Sequence, residues 1–365
     1  MTKKIYTLFI IFMLMIVSIA GCSKNDVETI GFVEDSQEEV VDSNDEQEDE
    51  IEEVEIDYEK IKPNEAGQIM VLMYHSIGDE EKIFTRTPDN LKKDLQTLYD
   101  LKYRPISLED YATGNINVEA GCSPVVLTFD DGHQNNFNVI EKEDGTIEID
   151  PLCAVSILEE FNKKHPDFPL EATFFLNGGT PFRQSEHLEF KIKYLIEKGM
   201  DIGNHTANHI DLSDTHDSEK IVSEITKVND LITQYVPDYE VNTLSLPFGG
   251  KPQTDELKQI VIEGDNGQYK NIAIVEVGWD PYKSPFDKDF NPYAIHRVRA
   301  SDLQEYVKGC GINDWIQRIE KGERTKFISD GSPDKVTVPE KYKDKIDVNK
   351  IGDKELITYT LEENK

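Results

Sequence analysis

The sequence predicts an α/β fold, a parallel sheet covered by helices and curled toward a barrel. Short apolar runs of strand length alternate with amphipathic stretches of helix length. Such alternation is what parallel strands joined by helical crossovers produce. The polar motifs also fall at the C-terminal ends of the apolar runs, where barrels of this kind build their sites.

The elements follow in chain order. The run 69–74 is apolar throughout, as a strand buried on both faces must be. Thr87-Pro88-Asp89-Asn90 starts a helix, with Leu91, Leu95 and Leu98 on one face. Residues 124–129 form a second buried strand, followed by a helix over about 154–164. A third strand, 172–176, is stopped by Asn177-Gly178-Gly179. Residues 188–198 are helical, 201–203 form a short strand, and 218–235 are helical. A strand over 243–246 ends at Pro247. A helix over about 255–263, a strand over 272–277 and a helix beginning at 301–307 complete the alternation. Beyond about residue 322 the chain turns polar. Runs 336–338 and 357–360 there suit short strands of a small cap or hairpin.

Composition limits the classes of function. A length of 365 residues suits one large domain with additions. A hydrophobic content of 38% can build a core, which excludes disorder of the whole chain. Asp and Glu number 72 against 39 Lys and Arg, a net charge of −33, so a polyanion such as nucleic acid is not an expected partner. With only one long apolar run, a multi-span membrane protein is excluded.

That run stands at the N-terminus. Lys3 and Lys4 precede an apolar stretch from Ile5 to Ala20, and Ile19-Ala20-Gly21-Cys22 follows the pattern of a bacterial lipobox. The expected organisation is a lipoprotein signal over 1–22, with Cys22 lipidated, and an acidic disordered linker over 23–66. A catalytic domain over 67–320 and a C-terminal extension over 321–365 complete it. The chain is expected to be extracytoplasmic, a monomer anchored by lipid to the outer face of the cell membrane. Cys122, Cys153 and Cys310 allow at most one disulfide.

Two motifs carry chemistry. In Thr128-Phe129-Asp130-Asp131-Gly132 a buried strand runs into adjacent carboxylates. Neighbouring side chains on a strand face opposite ways, so both acids serve one site only where the strand breaks, and Gly132 permits the break. His205 and His209, in His205-Thr206-Ala207-Asn208-His209, meet on one face if the segment turns helical. Asp131, His205 and His209 together make a His₂–carboxylate set with room for water, which is catalytic rather than structural geometry. Asp130 is then placed to act as a base. His75 and His133 are read as walls of the cleft.

With Leu246-Pro247-Phe248-Gly249, these motifs resemble the metal-dependent polysaccharide deacetylases, the NodB-homology or carbohydrate esterase 4 family. Ala172-Thr173-Phe174-Phe175 and Val71-Leu72-Met73-Tyr74-His75 are similar too. The resemblance covers roughly residues 67–310. It implies a distorted (β/α) barrel of about seven strand–helix units and hydrolysis of N-acetyl, or in some members O-acetyl, groups on surface glycans. It implies Asp130 as general base and Asp131, His205 and His209 as ligands of a divalent metal, usually zinc, with cobalt, nickel or manganese as alternatives.

The sequence departs from the family pattern at Ser245, where an arginine normally braces the catalytic aspartate. Arg297 is the candidate replacement. A family histidine acting as general acid is matched only loosely by His296, which either faces inward or lies on the outer face of its strand. Asp280, after Trp279, is the candidate to orient it. Pro247, Phe248, Gly249 and Trp279 are the expected substrate contacts, and a backbone N–H after Phe248 or Gly249 the expected oxyanion donor. The competing readings are an O-acetyl esterase and a catalytically weak glycan-binding lipoprotein.

Overall fold

The computed structural model describes residues 56–361. The leader, Cys22 and most of the acidic stretch lie outside the described residues.

Eight parallel strands make the main sheet: β1 Met70–Tyr74, β2 Tyr103–Pro105, β3 Ser123–Phe129, β4 Thr173–Leu176, β5 Asp201–Asn204, β6 Thr243–Ser245, β7 Ala273–Val275 and β8 Val298–Arg299. Their order is β7-β6-β5-β4-β3-β1-β8, with β2 paired to β3. A bridge between Val275 and Ile295 brings the β7 edge to the chain entering β8, so the sheet curls into a distorted barrel.

Alternation along β1 divides the core. Met70, Leu72 and Tyr74 pack under the helices with Leu127 and Phe129. Ile69 and Val71 face the interior with Val126, Phe175, Val275 and Ile295. Every residue of β1 and β3 is buried, which is why these strands read as unbroken apolar runs.

The main helices are α1 Pro88–Asp100, α2 Ala154–Lys164, α3 Leu188–Glu197, α4 Ser218–Thr233, α5 Asp255–Ile262 and α6 Ile312–Glu320. Thr87 caps α1 by accepting the Asn90 N–H, and Leu91, Leu95 and Leu98 are buried as the spacing requires. The helix expected from residue 301 is a single turn, Gln304–Val307, stopped by left-handed Lys308 and Gly309. The real helix there is α6, whose Asp314 accepts the Gly311 N–H.

The N-terminal end of the domain differs from expectation. Residues 56–66 are not linker. They include a helical turn, Tyr58–Ile61, and the buried Asn64, Glu65 and Ala66. The tail is a small cap, as one of the two expectations had it, and not a hairpin. Its strands β9 Lys335–Pro339 and β10 Glu355–Tyr359 pair in parallel, so the chain must cross between them. Phe327, Val336 and Val338 join the interior cluster and close the barrel at the N-terminal ends of the strands. The Glu65 carboxylate accepts the Thr337 N–H at 3.0 Å. Cys122, Cys153 and Cys310 are free thiols.

The same pole carries a carboxylate cluster. Burial, with Glu109 and Asp110 adding to it, pushes Asp201 up to about 7, and burial pushes nearby Glu171 up to about 7. A carboxyl raised in the folded state costs stability as pH climbs from the unfolded value near 4 toward 7. Asp201→Asn should therefore stabilise the protein by about 2 kcal/mol at pH 8 and not at all below pH 4. Denaturant melts at the two pH values test this, and a gain that persists at pH 4 would contradict it.

Candidate active site

The site stands at the C-terminal ends of β1, β3, β5 and β6, over a cleft of about 610 Å³. Four non-glycine residues of its motifs adopt left-handed backbone: Asp131 (φ 73°), Thr206 (58°), His209 (50°) and Phe248 (58°). Such conformations cost about 1–3 kcal/mol each and persist only when their surroundings hold them. At Asp131 and Gly132 (φ 53°) this is the strand break that turns two adjacent carboxylates to one site.

Asp130 is buried and held by Arg297, whose two terminal nitrogens each donate to one carboxylate oxygen at 2.7 Å. Ser245 Oγ donates to Oδ2 at 3.2 Å and also accepts from Arg297 at 2.9 Å. The arginine absent from position 245 is thus supplied from the segment just before β8, and the serine leaves room for it. Burial pushes Asp130 up, but Arg297 and His205 outweigh it and hold the carboxyl at about 2.

Asp131 Oδ1 lies 3.4 Å from His205 Nε2 and 3.3 Å from His209 Nε2. One ligand atom from each of the three residues falls within 4.8 Å of the others, so together they can hold a divalent cation. The donors fit one chemically. The His205 Nδ1–H donates to the Ser245 carbonyl at 2.8 Å, which leaves the Nε2 lone pair for a metal. Burial, with His205 beside it, lowers His209 from its ordinary value, which favours the unprotonated ring that a metal needs. Asp131 Oδ2 meets His133 Nε2 at 3.2 Å. Against its burial, His133 and His205 keep Asp131 well below the usual carboxylate range.

The two histidines meet differently from the expectation. After Asn204 the chain makes a tight loop, not a helix. Asn204 Oδ1 accepts the Thr206 N–H, and buried Glu224 on α4 accepts from the Asn208 N–H and side-chain amide. No periodicity encodes such a loop. Its one signal is the asparagine-rich stretch itself.

His75 lies 4.0 Å from Asp130 Oδ2, and burial lowers it to about 4 against the pull of Asp130 and Asp131. It is a neutral wall of the cleft. Phe248 also lines the cleft, 67% exposed, with its ring 4.7 Å from that of His209. Pro247 is buried, and Gly249 (φ 74°) packs on Val277. These two shape the turn rather than face the cleft. The Gly249 and Gly250 N–H groups donate to Leu246 and Pro247 carbonyls, so neither is the expected oxyanion donor. Trp279 is half exposed and reaches the cleft only through Arg299.

His296 is not brought to the cleft. Side chains alternate along the strand, and Arg297 takes the inward direction. His296 instead lies against Tyr282, ring centroids 5.0 Å apart, with Nδ1 3.0 Å from Asp280 Oδ1. The histidine–aspartate pair anticipated from sequence exists, but outside the cleft. Sequence reasoning missed Phe84 and Arg299, both on the cleft wall. The period of two from Arg297 was the available signal for Arg299.

Residues 117–263 match the family described as polysaccharide deacetylase. "Putative polysaccharide deacetylase YxkH" of Bacillus subtilis (strain 168) is 23% identical over 245 residues, covering 66% of this chain and 74% of that protein. Among solved structures, the "putative polysaccharide deacetylase BA0330" of Bacillus anthracis is 20% identical, with a TM-score of 0.49 over 67% of this chain and 69% of that one. The Streptococcus pyogenes deacetylase PplD, in complex with acetate, is 19% identical, with a TM-score of 0.49 over 67% and 98%.

Proposed function

We propose that this chain, whose residues 117–263 match the polysaccharide deacetylase family, removes N-acetyl groups from N-acetylglucosamine units of a cell-surface polysaccharide. The observation that carries this reading is the pairing of an ionised, arginine-braced Asp130 with the Asp131–His205–His209 triad in one cleft.

A divalent metal, zinc in this proposal, would be held by Asp131, His205 and His209 and would supply Lewis acidity to the attacking water and the acetyl carbonyl. Asp130 takes the proton of that water. A carboxylate held at about 2 is a weak base, so it suits only a water whose acidity has been raised. Once protonated, the same carboxyl is a strong acid. With His296 outside the cleft, Asp130 returns its proton to the departing amine. Water adds to the carbonyl carbon, the carbon–nitrogen bond breaks, and acetate and a sugar amine result. Neutral His75 and exposed Phe248 flank the acetyl group and the sugar ring.

The lipobox ending at Cys22 supports a lipid-anchored, extracytoplasmic location, where acetylated wall or exopolysaccharide would be met. The glycan-binding alternative drew its strength from Ser245, and Arg297 removes that support. Acetate release from N-acetylglucosamine oligomers and peptidoglycan, with zinc and with chelator, tests the proposal. Release should fall at least about 100-fold on chelation and return with zinc. Release only from O-acetylated glycans would replace it with the esterase reading.

A further inference from the structure

Three arginines stand around the cleft, and two are committed. Arg297 serves Asp130. Arg86 donates to Asp94 at 2.6 and 2.9 Å and meets Asp302 at 2.8 Å. Arg299, two residues beyond Arg297 and level with Met73 on β1, lines the cleft without any such partner. Among the described residues no carboxylate lies within ion-pair distance of it, and its buried Nε has no hydrogen-bond partner. In a chain of net charge −33 that is an unusual omission.

The guanidinium is nevertheless held in place. Its carbon lies 5.1 Å from the Phe84 ring centroid and 5.5 Å from that of Trp279. Both rings are large and about half exposed, and Phe84 lines the cleft. Aromatic contacts of this kind orient a guanidinium without neutralising it. Burial lowers Arg299 from its ordinary value, so the fold bears a desolvation cost that no internal anion offsets. A planar donor fork, fixed and open to a cleft, matches an oxyanion.

We infer that Arg299 is a specificity-determining residue that pairs with an anionic substituent of the glycan, a carboxylate or a phosphate, carried close to the acetylated sugar. This rests on the deacetylase reading above and narrows its substrate class to acidic polysaccharide.

The test compares the zinc-loaded protein with Arg299→Gln and Arg299→Lys on three sets of N-acetylated oligomers: neutral, carboxylate-bearing and phosphate-bearing. The wild type should show its lowest KM on one anionic set, which identifies the anion. Arg299→Gln should raise that KM about 10- to 100-fold, with kcat changed less than about twofold and the neutral set unaffected. Arg299→Lys, which keeps the charge and most of the packing, should retain part of the preference, and added salt should narrow it. Equal losses on neutral and anionic oligomers, or no preference in the wild type, would overturn the inference. If the wild type releases acetate from none of them, the deacetylase reading fails by itself. Direct binding titrations of the same oligomers then decide: an anionic preference lost in Arg299→Gln upholds the role of Arg299, and equal binding refutes it.

Discussion

Asp130→Asn is expected to reduce acetate release by about 10²–10⁴-fold, the usual contribution of a positioned general base. The amide keeps the shape of the carboxylate but offers one acceptor where Arg297 now finds two. It can neither take a proton from water nor return one to the amine. The three residues that can hold metal are untouched, so zinc content should stay near that of the wild type. Metal analysis and initial rates on one preparation make the comparison. A variant with full metal and a rate within tenfold of wild type would remove Asp130 from its assigned role.

Arg297→Met is expected to be nearly as damaging, and for a different reason. It leaves the shape of the cleft and strips the buried Asp130 carboxylate of both charge-assisted hydrogen bonds. Removing one partner of a buried ion pair typically costs about 3–5 kcal/mol, a large part of a domain's stability. The direction with pH follows. Burial already pushes Asp130 upward, and Arg297 is the foremost group holding it at about 2. Because the folded value lies below the unfolded one, the group contributes stability above about pH 4 that is lost as pH falls toward 2. Without Arg297 that contribution disappears, and the acid limb of the rate profile moves to higher pH. Arg297→Lys keeps a charge but not the two-pronged geometry and should fall between. An unchanged acid limb in Arg297→Met would show that Arg297 does not set the state of Asp130.

What the sequence revealed divides by physical cause. Strands β1 and β3 were legible because burial on both faces forces an uninterrupted apolar run. Asp130 and Asp131 were legible because a buried strand running straight into two carboxylates is less readily explained by an ordinary Asp-Asp-Gly turn than by a site. His296 and Arg297 illustrate the opposite case. Adjacent residues on a strand face opposite sides, so which one looks inward depends on register, and register is set by pairing with β1 rather than by either residue. The loop carrying His205 and His209 rests on hydrogen bonds from Asn204 and Glu224, a side-chain arrangement without periodicity. The tail hid its role because its exposed polar residues outnumber Phe327, Val336 and Val338.

The joining of that tail to residues 64–68 bears on how the polypeptide is made. Asn64 bridges to Ile328, Gln68 to Lys326, and Glu65 reaches Thr337 across 272 positions of sequence. Chain is delivered from its N-terminus onward, so residues 64–68 wait for their partners until residues 326–337 have been made. Loop closure over such a span is also slow compared with local pairing. The N-terminal pole of the barrel therefore closes only after residues 326–337 have emerged, whatever the strands between them have already formed.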